Sequence, residues 1–75
     1  MGSKSTNTNP NAEIVNKLNE EHEELFGKMT RLSATITDPA KVAKIGPVQT
    51  ALLEGQLKAM QAYDEILLAR IQLLK

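Results

Sequence analysis

Cysteine and tryptophan are absent from the 75 residues, and Phe26 and Tyr63 are the only carbocyclic aromatic rings. Without thiols there is no disulfide staple and no thiolate zinc site. A single core of this size rarely supplies more than ~3–5 kcal/mol, so association with other copies is the expected way to bury more apolar surface. A net charge is missing as well, nine basic residues offsetting nine acidic ones. That balance argues against duplex DNA or an anionic membrane as a bulk partner. No apolar run approaches the ~18 residues of a membrane span and no signal-peptide pattern is seen. The expectation is a soluble, cytoplasmic protein.

Catalytic machinery is also lacking. The sequence holds no phosphate loop, no nucleophile elbow and no Cys–His pair. His22 is the only histidine, and its neighbours at helical spacing are Leu18, Asn19, Leu25 and Phe26. None of these is a second metal ligand, and the Glu-x-x-His pairing of di-iron bundles would need a glutamate where Asn19 stands. No catalytic residue, metal or cofactor is expected, and the chain does not read as an enzyme.

What is present is helical periodicity. Residues 1–9, "MGSKSTNTN", are polar after Met1 and read as a disordered tail. "MGSKST" fits the pattern for N-myristoylation and equally an ordinary polar leader. Asn9 and Pro10 suit an N-cap and first helical position. From there a helix is expected over about 10–36, with Val15, Leu18, His22, Leu25, Met29, Leu32 and Ile36 as a heptad-like seam. Glu20, Glu21, Glu23 and Glu24 form a solvated face near its start.

"TITDPAKVAKIGPV" breaks the pattern and predicts a bend over 37–46. Asp38-Pro39 can cap a short helical turn, Gly46 can end it, and Pro47 can open the next helix. That helix is expected over about 47–74, with a main stripe of Leu53, Leu57, Met60, Leu67, Ile71 and Leu74, interrupted by Asp64. A second stripe carries Leu52, Ala59, Tyr63, Ile66 and Leu73. One partner helix cannot cover both stripes. The predicted fold is therefore all-α: an antiparallel two-helix hairpin of residues 10–75 that assembles into a helical-bundle homo-oligomer.

If Ile36 lies level with Pro47, His22 falls near Gln61 and within a turn of Asp64. The leading reading is that His22 and Asp64 form a polar pair that fixes the register; ligand contact, a pH switch and simple snorkelling are the alternatives. The same register sets Gly27 beside Gly55. A helical glycine costs ~1 kcal/mol against alanine, so the expected reason is close helix approach, with backbone exposed to a partner or ligand as the alternative.

Cations gather toward the bend: Lys28, Arg31, Lys41, Lys44 and Lys58, against Asp38 and Glu54. The hydroxyls of Thr30, Ser33, Thr35 and Thr37 alternate with them. Such a set can receive phosphate, although lysines that merely solubilise a bend look the same. The candidate ligand-binding residues are Lys28, Arg31 and Lys58 for phosphate and Thr30 and Ser33 as hydrogen-bond donors. Core packing is the leading reading for Tyr63 and Phe26, with a second subunit covering Phe26, and either is a candidate to stack on a base if a protomer junction opens beside it. Arg70 lies on the second stripe, where it can reach Glu13 or Glu20 of a neighbouring copy.

"LLEGQLKAMQAYDEILLARIQLL", preceded by "EELFGKMTRLSATI", resembles a family of small helical-hairpin proteins of tailed and crAss-like phages. The likeness runs from about Leu18 to Leu74. The architecture is similar to that of phage anti-CBASS sponge proteins, compact oligomers that hold cyclic oligonucleotides between protomers. The resemblance implies a phage immune-evasion protein, acting in the bacterial host cytoplasm, that sequesters a cyclic or phosphate-rich nucleotide signal without catalysis. The sequence departs from those sponges in lacking their Tyr-His-Pro-Pro-Lys-type segment ahead of the first long helix, so their ligand residues do not transfer. A structural or adaptor hairpin that binds a host or phage protein is the competing expectation, and an RNA-binding bundle a third.

Overall fold

The computed structural model describes residues 10–75, which are helical with no strand among them. Helix α1 spans Ala12–Ile36, α2 Pro39–Ile45 and α3 Pro47–Leu74. The expected tail, the myristoylation pattern and the Asn9 cap lie outside the described residues.

Local chemistry accounts for the breaks. Asp38 is extended and its carboxylate accepts from the Ala40 N–H at 3.0 Å, with Pro39 at the start of α2. This is an N-cap followed by the residue whose missing N–H costs nothing there. Gly46 separates α2 from α3 at φ 92° and ψ 161°, a backbone region open essentially to glycine alone. Pro47 then opens α3, and the Thr50 hydroxyl, buried in the bend, donates back to the Gly46 carbonyl at 2.7 Å. α1 begins at Ala12, two residues after Pro10. Asn11 precedes it without capping it; its side chain instead donates to the Leu74 carbonyl at 3.3 Å, occupying a C-terminal acceptor of α3.

The Asn11–Leu74 contact at one end and a His22–Asp64 contact midway show that α1 and α3 lie side by side in opposite directions. Leu18 and Leu25 of α1 meet Leu67 and Ile71 of α3, with Val15, Met29, Met60 and Leu74 packed around them. Leu67 is fully buried. The core thus takes the main stripe of each helix, while the second stripe of α3 (Leu52, Ala59, Tyr63, Ile66 and Leu73) is exposed.

Two expectations need correction. The register is displaced by three residues, so that His22 lies level with Asp64 itself and not with Gln61. The cause is α2, which packs against both long helices. In the register that the His22–Asp64 contact sets, Ile36 lies level with about Thr50 and not with Pro47. The glycines also fail to mark a close approach. A Cβ on Gly55 would meet nothing within 4 Å, and one on Gly27 would meet only the Arg31 side chain at 3.5 Å. Gly27 is two residues past Leu25 and therefore rotated about 200° from the seam.

No helix among the described residues is long and apolar enough to cross a membrane. Replacing Gly46→Ala forces a side chain into the glycine-only region and is expected to destabilise the fold by roughly 1–3 kcal/mol. Asp38→Ala removes the cap of α2 and should cost about 1 kcal/mol. Urea unfolding followed by circular dichroism measures both.

Candidate functional site

The polar centre of the interhelical seam is His22. Heptad spacing carries it inward between Leu18 and Leu25, and the same spacing on α3 places Asp64 between Met60 and Leu67. Nδ1 of His22 lies 2.6 Å from Oδ1 of Asp64. An ionised carboxylate can only accept, so the imidazole Nδ1–H donates. The Asp64 side chain is 10 % exposed and that of His22 26 %, which makes this a mostly desolvated contact with one edge near water. The Phe26 ring tilts toward the imidazole, with centroids 5.9 Å apart. Every buried side-chain nitrogen and oxygen among the described residues has a partner, and no three metal-ligating side chains there converge on one point. The pair bridges α1 and α3 midway along the seam and marks their register.

The candidate ligand residues fall on different faces. Phe26, Thr30 and Ser33 share a groove of about 260 Å³ with Met29, Leu57 and Gln61. Their spacing of four and three residues keeps them on one face of α1 beside the seam. Lys28 and Arg31 line a separate groove together with Glu23, Glu24 and Gly27. Lys28 is two residues from Phe26 and Arg31 five, so both point away from the ring. Tyr63 and Lys58 line neither groove. The two grooves are thus separate surfaces, one with a ring and hydroxyls and one of mixed charge.

Side-chain bonding refines the donors. Thr30 donates its hydroxyl proton to the Phe26 carbonyl at 2.9 Å, and Thr35 and Thr37 bond back to Arg31 and Ser33 in the same way. Their single protons are committed within α1, so Ser33 is the one hydroxyl of the four left to donate. Lys28, Arg31 and Lys58 form no ion pair among the described residues. Phe26, at 56 % exposed, and Tyr63, at 44 %, are not core residues of the chain. Arg70 lies in a third groove with Ile14, Leu73 and Leu74, and Glu13 and Glu20 are exposed elsewhere on α1.

Met29, Leu57 and Gln61 complete the Phe26 groove and were not singled out from the sequence. Met29 and Leu57 were absorbed into the seams. Gln61 was placed opposite His22 by the displaced register, although Leu57 and Gln61 sit one turn apart on the same flank of α3.

Truncating one member of the polar pair strands the other. His22→Leu leaves Asp64 buried without its donor and should cost about 1–3 kcal/mol, whereas His22→Leu with Asp64→Leu recovers most of that loss. Urea unfolding of the two single variants and the double variant, closed as a cycle, gives the coupling; additive losses would contradict the contact.

No match is found among curated proteins or solved structures. The family model described as Sequestin matches residues 12–73, from the first residue of α1 to the last turn of α3. With nearly all of its helical portion covered, the chain belongs to the Sequestin family.

Proposed function

We propose that this protein captures a phosphate-rich nucleotide signal, of the cyclic oligonucleotide class, and withholds it from a host immune effector without chemical turnover. The observation that carries the reading is the Phe26 groove: an exposed ring beside the free donor Ser33 and the amide of Gln61, on a chain whose family name denotes sequestration. A flat apolar ring stacks on any base, and amide and hydroxyl groups read its edge. Its volume falls below the ~300–1,000 Å³ of sites that enclose a drug-sized ligand. One groove suits a base but not a whole cyclic dinucleotide, so the site is placed where copies meet. Lys28 and Arg31 of a neighbouring copy supply the phosphate charge that the groove itself lacks. The phage origin and bacterial cytoplasmic setting belong to the same reading, as does the absence of catalysis.

A second reading is that the chain is an adaptor whose apolar α3 face binds a host or phage protein. The exposure of Leu52, Ile66 and Leu73 favours it.

Isothermal titration against cyclic di- and trinucleotides and nucleotide-derived signals separates the two. A saturable heat is expected for at least one member of the panel. Phe26→Ala should weaken that binding by about ten-fold, consistent with ~1–3 kcal/mol per stacked base. Lys28→Glu with Arg31→Glu should weaken it further, increasingly so as salt is lowered. No heat with any nucleotide, together with capture of one defined protein partner, would favour the adaptor.

A further inference from the structure

Beyond its contact with α1, α3 carries a second uninterrupted heptad. Its bulky members are Val48, Leu52, Ile66 and Leu73, and its small members are Gly55, Ala59, Ala62 and Ala69. Steps of four and three residues alternate through all of them without one charged side chain. All are exposed, Leu52 at 63 %, Ile66 at 58 % and Leu73 at 87 %. Such a pattern is the seam of a two-helix contact, and the α1 seam lies on the neighbouring face.

We propose that this face pairs antiparallel with the same face of a second copy, centred between Ala59 and Ala62. Size and charge select that occupant. About this centre Val48 lies level with the partner's Leu73, and Leu52 with the partner's Ala69. Gly55 then meets the partner's Ile66, and Ala59 meets the partner's Ala62. Two of these four layers set a bulky side chain against a small one, Val48 and Leu73 close the two ends, and the alanine layer lets the backbones approach closely. A parallel pairing would stack Ile66 on the partner's Ile66 and Gly55 on the partner's Gly55, leaving a bulge and a void within three turns.

The flanking positions agree. In the antiparallel register Lys58 faces the partner's Glu65, and two-fold symmetry makes that contact twice. Gln56 faces the partner's Tyr63 and Gln49 the partner's Arg70, so no like charges meet. Gly55, where a Cβ would meet nothing within 4 Å among the described residues, gains a reason: a side chain there would collide with the partner's Ile66. This pairing also occupies Lys58, removing it from the phosphate-binding set while leaving the Phe26 groove free on the other flank of the molecule.

The chain has no cysteine, so introduced thiols report without interference. V48C and L73C variants, mixed and treated with a short bismaleimide, should yield a cross-linked dimer, while either variant alone should yield little. Cross-linking of each variant alone would overturn the antiparallel arrangement. A59E with A62E, both at exposed positions, should keep its helical circular dichroism but sediment as the 8.2 kDa monomer, whereas the unsubstituted chain sediments as a dimer or a multiple of one. K58E should weaken association by about ten-fold, and K58E with E65K should restore it. A folded unsubstituted chain that is monomeric at micromolar concentration, or an oligomer indifferent to A59E with A62E, would overturn the proposal. These measurements use no nucleotide, so their failure is distinct from a failure of nucleotide capture.

Discussion

Two helices packed side by side can bury only one stripe of each, and that constraint governs this molecule. α1 has a single apolar seam and spends it on α3. α3 has apolar side chains over a wider arc and leaves half of them in water, among them Leu52, Ile66 and Leu73. α2 is too short to cover the remainder, having no buried residue of its own. The result is a core of four buried apolar side chains, Leu18, Leu25, Leu67 and Ile71, of which only Leu67 is fully buried, too thin to make the pairing insensitive to its polar members.

This is why His22 and Asp64 matter beyond their own contact. A seam of leucine, isoleucine and methionine tolerates sliding by a turn, because one aliphatic side chain replaces another at little cost. The polar pair does not tolerate it. Sliding α3 by one turn would set Asp64 against Leu18 or Leu25 and take a carboxylate away from its donor in a largely dry setting, which is strongly unfavourable. The pair adds little net stability compared with two apolar residues, yet it distinguishes one register from its neighbours. Asn11, reaching across to the Leu74 carbonyl, marks the same register at the open end.

Much of this was legible in the sequence, for identifiable reasons. The caps at Asp38-Pro39 and Gly46-Pro47 are local chemistry and can be read from adjacent residues. The seam of α1 is a strict spacing with one polar exception. The register was less legible because it depends on how much length the bend consumes, and a seven-residue helix consumes a different length from a loop. Lys28 and Arg31 do not share the Phe26 groove for a geometric reason. Nearness along α1 does not put side chains on one face, since residues two apart are turned about 200° from each other. The glycines do not mark a close approach within the chain because both point away from the α1–α3 seam.

The division of α1 into two faces bears directly on function. One copy presents a ring, an amide and a free hydroxyl on one side, and lysine and arginine on the other. A ligand carrying both bases and phosphates cannot satisfy both sets within a single chain. On the proposed reading it must draw its stacking contact from one copy and its phosphate contacts from another, so affinity depends on assembly. The proposed pairing through α3 would supply that assembly without using either α1 surface. Sequestration by such an arrangement requires no group that transfers a proton or attacks a bond; it requires only that the copies be held at a fixed spacing, which on this proposal the small residues at the centre of the α3 face would set.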